Sequence, residues 1–277
     1  MIDMHLHTKW SDGSLQVSEL VQKLKLSDIN YASLTDHDCI LGNEEFEKIS
    51  DKYNIKTIYG VELECYYNLY TSSYLHMLCY NYKDIKKLND FLEQERLHRI
   101  EAIKEAIERI KKIGIFTNLD EVKSMSCGRH LLINHLCILL EKKRFVKSRF
   151  EAYQMFLNPN SELYVNYPKI TVEEIMKIID DVGGIPVLAH PKRINMNKIE
   201  LENYVSYLKK IGLKGIETYY SFNTKEEIEF CEYLSNKYEL IDTVGSDWHC
   251  EEEKINFGNK YITSEKEKIL KRSFFNE

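Results

Sequence analysis

Seven short apolar runs of strand-like character recur along this chain, and most end in, or are interrupted by, a histidine or a carboxylate. They lie at about 2–7, 31–35, 57–63, 74–80, 185–189, 215–219 and 241–245. Amphipathic helical patterns such as 17–26 and 44–53 fall between most of them. Strand–helix alternation of this kind implies a parallel sheet with helical crossovers, open or closed. Seven strands with dispersed polar ends favour a barrel, where functional side chains gather at the C-terminal strand ends. Two later helices open with capping boxes, Thr171-Val-Glu-Glu174 and Thr224-Lys-Glu-Glu227. In each, hydroxyl and carboxylate satisfy the first backbone N–H groups reciprocally.

The stretch from about residue 84 to 168 breaks the rhythm, with one long charged helix through Ile113 and shorter helical patterns after it. It reads as an α-helical insertion. The expected division is a barrel of residues 1–90 and 165–277 with an insertion over 91–164. From Arg129 to Arg149 the insertion is basic, with Glu141 the sole acidic residue. The whole chain has the opposite sign. A net charge of -6 over 277 residues argues against a dedicated duplex-DNA-binding protein. Seven scattered cysteines without a Cys-x-x-Cys pair read as reduced thiols. No apolar stretch is long enough for a bilayer, and the first residues run straight into the candidate site. The expected location is therefore cytoplasmic, without a membrane partner.

The polar ends carry the chemistry. His5 and His7 flank Leu6, so on a strand both point the same way. Further along come Ser11-Asp12-Gly13, Thr35-Asp36-His37-Asp38, Gly60-Val61-Glu62, His76, Ala189-His190-Pro191 and Gly245-Ser246-Asp247-Trp248-His249. Alone, each has a plain structural reading: a packed histidine, a turn aspartate, an exposed strand end. Together they are different, because six of the nine histidines fall at such ends. Imidazole and carboxylate suit zinc, manganese and iron. One ion takes three or four protein ligands, so His5, His7, Asp12, His37, Glu62, His76, His190, Asp247 and His249 imply two to three divalent ions. Adjacent cations acidify a shared water and flank the oxygens of an in-line displacement at phosphorus. Arg129 and Arg193 are candidates to hold phosphate oxygens bidentately. Other residues keep structural readings: His98 is solvated, His135 belongs to a helical core, and Cys39 and Cys250 are small hydrophobes. Glu217 points to the same barrel mouth without an assigned role.

This ordered set resembles the PHP superfamily, named for polymerase and histidinol phosphatase, over nearly the whole chain. The resemblance implies a distorted seven-stranded β/α barrel and divalent ions, most often manganese, iron or zinc. It implies one ion on His5, His7, Glu62 and Asp247, a second on Glu62, His76 and His190, and a third on Asp12, His37 and His249. The helical insertion and the Ala-His-Pro-x-Arg segment resemble the stand-alone branch acting on nucleotide phosphates. The implied activity is hydrolysis of a terminal phosphate by a metal-activated hydroxide. The implied substrate is a nucleoside monophosphate, a 3′,5′-bisphosphate or short single-stranded 5′-phosphorylated RNA. Arg129, His130 and Arg193 would orient the phosphate, and the insertion would form a wall or lid. Gly128-Arg129-His130 departs from the branch, which has Arg then Ser, Thr or Pro before His; the departure shifts the helix start. The alternative within enzymes is histidinol-phosphate phosphatase, against which the insertion and its basic segment stand. The alternative of another class is a non-catalytic metal-binding regulatory module, against which the intact ligand set stands.

Overall fold

Parallel strands must be joined by a crossover of a dozen or more residues, whereas antiparallel neighbours need only a short turn. The computed structural model describes residues 1–68, 73–126, 131–158, 160–168, 170–251 and 254–276. It follows that rule at every connection. β1 (Ile2–Asp3), α1 (Val17–Leu26), β2 (Tyr31–Leu34), α2 (Asn43–Lys52) and β3 (Lys56–Asn68) alternate, and β1, β2 and β3 pair in parallel. β4 (Ser73–Tyr80) begins five residues after the end of β3 and pairs antiparallel to it, with Glu64 opposite His76. Four helices then intervene: α3 (Ile85–Lys111), α4 (Leu119–Lys123), α5 (Ile133–Lys142) and α6 (Arg149–Leu157). After them α7 (Val172–Asp181), β5 (Ile185–Leu188), α8 (Lys198–Lys210), β6 (Gly215–Tyr220), α9 (Lys225–Lys237), β7 (Ile241–Gly245) and α10 (Ser264–Phe275) restore the alternation.

The sheet runs β1 to β7 in chain order. It is not wholly parallel as the alternation suggested, because β4 runs opposite to both neighbours. Its closure rests on the Met4 N–H bonded to the Val244 carbonyl at 2.9 Å and a parallel bridge between Leu6 and Trp248. The result is the distorted seven-stranded barrel.

Alternation sorts side chains between two environments. On β3 and β4, Val61, Leu63, Cys65, Leu75, Met77 and Cys79 join an outer cluster with Val172, Ile175 and Ile179 of α7. The intervening positions face inward: Ile58, Leu78 and Tyr80 pack with Met4, Val187, Tyr219 and Val244, and with Leu270 and Phe274 of α10. At about 25 cal/mol per Å² of apolar surface, these buried layers supply the main drive to fold. Above the inward cluster, Glu62 and His76 continue the same face toward the mouth. Both expected capping boxes form, with the Thr171 and Thr224 N–H groups each 2.7 Å from the glutamate three residues on.

α3 belongs to two cores. Leu88 and Leu92 pack on the barrel's outer cluster. Ala102, Ile103, Ala106, Ile107 and Ile110 form a separate cluster with Leu136, Leu140, Phe156 and Val165. Between these halves lies buried Arg99, 2.5 Å from the Asp38 carboxylate. None of the described helices is long and apolar enough to cross a membrane.

Candidate metal centre

β1 ends at Asp3, earlier than expected, because the buried Asp3 carboxylate takes the N–H groups of His5, Ser246 and Gly258. The chain nevertheless stays extended, with Leu6 N–H bonded to Thr35 Oγ1 at 3.0 Å. His5 and His7 thus still share a face, and both reach Glu62. His5 Nε2 and His7 Nε2 lie 3.1 and 3.2 Å from Glu62 Oε2, and His37 Nδ1 lies 3.1 Å from the same oxygen. His76 Nδ1 and His190 Nε2 lie 2.7 and 2.8 Å from Glu62 Oε1. Five imidazoles therefore surround one fully buried carboxylate. Glu62 does not end its strand, since β3 continues to Asn68. His76 sits mid-strand yet at the mouth because β4 is reversed.

The other candidates complete the cluster. Asp247 Oδ1 lies 3.4 Å from His5 Nε2 and 3.2 Å from His7 Nε2. Asp12 lies 3.3 Å from His249 Nε2 and 3.7 Å from both His7 Nδ1 and His37 Nε2. The ligand atoms form three groups, each within 4.8 Å: His5, His7, Glu62, Asp247; His7, Asp12, His37, His249; and His37, Glu62, His76. His190 lies beside the last of these, its Nε2 3.3 Å from His76 Nδ1 and 2.8 Å from Glu62 Oε1. His7 and His37 thus stand between groups rather than in one each. His190 and Asp247 hold φ angles of 25° and 58°, left-handed conformations that cost on the order of 1–3 kcal/mol for residues other than glycine.

The residues fit divalent cations. Buried His5 Nε2, His7 Nε2, Asp12 Oδ1, Glu62 Oε2 and Asp247 Oδ1 have no hydrogen-bond partner, although each faces others of the set. Buried polar atoms left so cost free energy that a shared cation removes. Electrostatics agree. Burial opposes charge on Glu62, but His5 and His76 beside it, with the bond from His190, hold it well below the usual carboxylate range. Burial likewise opposes a charged His7, yet Asp247 and Glu62 push its pKa up to about 10. Burial holds the His37 and His190 rings below the usual range and so favours their neutral, metal-binding form.

The model of the PHP domain family matches residues 3–274. The chain belongs to the PHP family. It is an enzyme of that family, a phosphoric ester hydrolase with a cluster fit for metal ions. The PHP chain is 26% identical to a 5′-3′ exoribonuclease of Haemophilus influenzae over 89% of each protein. It is 24% identical to a 3′,5′-nucleoside bisphosphate phosphatase of Chromobacterium violaceum, covering 90% of this chain and 87% of that one. Its fold is similar to that of a solved amidohydrolase of Chromobacterium violaceum with bound sulfate and no metal. That match has a TM-score of 0.75 and 22% identity over 94% of this chain and 91% of the other.

The supporting roles of three residues escaped sequence reasoning. Glu217 is fully buried; its Oε1 accepts from His5 Nδ1 at 2.8 Å and its Oε2 from the His190 N–H at 2.7 Å. One carboxylate therefore orients two candidate ligands of this PHP centre. A charge on the inward face of a buried strand was its only signal. Gly245 makes the approach possible, since a Cβ there would sit 2.2 Å from Glu217 Oε1 and 2.3 Å from His5 Cβ. Asp36 accepts from Thr8 and from Ser11, whose hydroxyl lies 3.4 Å from His7 Nδ1. The third is His135, which lines the cavity beside the cluster instead of filling a core.

Of the candidate phosphate holders, Arg193 sits half-exposed at the rim, 2.9 Å from Asp247 Oδ2. Arg129 and His130 lie outside the described residues. For Glu217→Gln, metal affinity is expected to fall roughly tenfold to a hundredfold, the usual effect of losing such an orienting partner. Competition against a chelator of known affinity measures it. Wild-type affinity would reduce Glu217 to packing.

Proposed function

We propose that this enzyme removes a terminal phosphate from a nucleotide: a nucleoside monophosphate, a 3′,5′-bisphosphate or the 5′ end of short RNA. Its ions, two to three of manganese, iron or zinc, would be held by the nine histidine and carboxylate residues described above. The observation that carries the reading is a cavity of about 450 Å³ running from Asp12, His37 and His76 to α5 and α6. That volume falls in the usual range for small-molecule sites. Asp12, His37 and His76 of the cluster line this cavity together with the aromatic side chains of Tyr66, Phe150 and Tyr153. Aromatic faces suit a planar base, whereas a small phosphorylated amine leaves them unfilled. The exoribonuclease and bisphosphate phosphatase relatives support a nucleotide substrate.

Bound here, divalent ions supply Lewis acidity that lowers the pKa of a water and balances charge developing on phosphoryl oxygens. The chain's own residues set the geometry. Glu62 fixes the spacing between His5, His7 and His37 on one side and His76 and His190 on the other. Glu217 locks the His5 ring, and Asp247 positions Arg193 at the rim to donate to phosphate. The helices of residues 91–164 act as a wall, which favours a phosphate at a chain end over an internal diester.

A panel of AMP, 3′,5′-bisphosphoadenosine, short 5′-phosphorylated RNA, histidinol phosphate and p-nitrophenyl phosphate with added manganese tests the reading. Higher kcat/KM for histidinol phosphate than for every nucleotide would reverse it. Absence of turnover on all five would favour a binding module. Arg193→Ala is expected to lower nucleotide kcat/KM roughly tenfold to a hundredfold, as for a lost charge-assisted hydrogen bond. Unchanged kcat/KM would confine Arg193 to its pairing with Asp247.

A further inference from the structure

Glu64 lies two residues beyond Glu62 on β3 and opposite His76 on β4, so its side chain stands on the same inward face. Alternation brings Tyr66 to that face as well. Glu64, Tyr66 and His76 all line the cavity beside the cluster. The rise of a strand sets Glu62, Glu64 and Tyr66 at intervals of about 6.5 Å. Their order is a carboxylate facing the cluster's histidines, a second carboxyl group and an aromatic ring. A nucleotide repeats that order as phosphate, sugar and base, at comparable spacing.

Glu64 has binding capacity to offer. It belongs to none of the three ligand groups of the cluster. The nearby guanidinium of Arg99 is committed to Asp38, whose Oδ1 takes the Glu64 N–H at 3.2 Å. The Glu64 carboxyl itself takes a long hydrogen bond, 3.4 Å, from the Tyr66 hydroxyl to Oε1. Tyr167 lines the same cavity and is only 5% exposed, and its buried hydroxyl has no hydrogen-bond partner. The charges of Arg99, Glu64 and Asp38 all act on that phenol, which puts it in the Glu64 corner of the cavity. A buried hydroxyl left so costs free energy that a bound polar group returns.

Charged or neutral, a carboxyl group accepts a hydrogen bond from a hydroxyl, and a phenol donates one. An acceptor and a donor side by side match a group that both gives and takes, which is a hydroxyl. An amino group only donates and the oxygens of a phosphate anion only accept, so each leaves one member of the pair unmatched.

We propose that Glu64 and Tyr167 form a hydroxyl-recognising subsite, Glu64 accepting from a ribose hydroxyl of the bound nucleotide and Tyr167 donating to it. The inference rests on reading this cavity as a nucleotide site, and it narrows the substrate to nucleotides whose sugar keeps that hydroxyl. Sugar recognition is thereby separate from phosphate recognition at the cluster.

The test uses the full chain reconstituted with manganese, assayed on AMP and on 2′,3′-dideoxyadenosine 5′-monophosphate, which differ only in the sugar hydroxyls. Wild-type kcat/KM is expected to favour AMP by at least about tenfold, because the analogue leaves the subsite's polar groups unpaired. In Glu64→Ala the ratio should fall to within about threefold of unity, the acceptor being gone. Glu64→Gln keeps one acceptor oxygen and should show an intermediate ratio. Tyr167→Phe loses the donor alone and should lower the ratio severalfold. Each ratio is internal to one preparation, so loss of ions or of folded protein cancels from it, and a residue that merely supported the fold would leave it unchanged. A ratio near unity in the wild type, or the wild-type ratio kept in Glu64→Ala or in Tyr167→Phe, would overturn the proposal while AMP turnover left the nucleotide reading standing. Turnover of neither nucleotide would overturn both.

Discussion

Glu62→Gln is expected to lose at least about a hundredfold in kcat/KM on any nucleotide the wild-type enzyme hydrolyses, with ions lost from the centre. The reason is geometric. Two imidazoles lie within 2.8 Å of one Glu62 oxygen and three within 3.2 Å of the other, all at a carboxylate with no exposed surface. An amide removes the negative charge and turns one of the two atoms into a donor. The five rings, His5, His7, His37, His76 and His190, are then left without the anion that spaces them. Losing a carboxylate shared between ions exceeds the tenfold to hundredfold cost of losing an outer partner. Kinetics, elemental analysis and melting curves on the same preparation check it. A folded variant within a few-fold of wild type would show that Glu62 is not shared between ions.

Removing the ions from the wild-type protein is expected to abolish turnover and lower the melting temperature together. The cluster without cations keeps buried, mutually facing atoms on His5, His7, Asp12, Glu62 and Asp247 with no hydrogen-bond partners. Metal that binds only the folded chain, present at about a hundredfold over its Kd, stabilises it by about 2.7 kcal/mol. For a chain of this size that corresponds to roughly 5–10 °C. Elemental analysis after reconstitution with manganese should find two to three ions per chain. One ion or fewer, or a melting temperature indifferent to chelator, would sink the multinuclear reading.

Much of this architecture was legible because barrels write their chemistry at strand ends. His5, His7, His37, His190, Asp247 and His249 each follow a recognisable apolar run, and the sheet brings them together with Asp12, Glu62 and His76. What escaped depends on direction and tertiary placement rather than composition. Nothing in Tyr74–Tyr80 as a string says which way the strand runs; the short distance from the end of β3 does, because a parallel crossover needs a dozen or more residues. Glu217 looked like a strand terminus, yet both its oxygens are engaged inside the barrel. His135 was hidden by its neighbours, since Leu131, Ile133 and Leu136 impose a core periodicity. A helix start and one backbone N–H turn its ring out of that core.

The buried pair of Arg99 and Asp38 bears on how such enzymes diversify. Asp38 follows His37 directly, and Arg99 lies on the helix that leads from the barrel into the insertion. Removing one partner of a buried ion pair typically costs about 3–5 kcal/mol, because the other charge stays unpaired. A lineage that swapped this insertion for another would strand a carboxylate one residue from the metal centre unless the newcomer also brought a cation to that point. The insertion and the candidate metal centre are thus joined through a buried ion pair, and variation in one is filtered through the other.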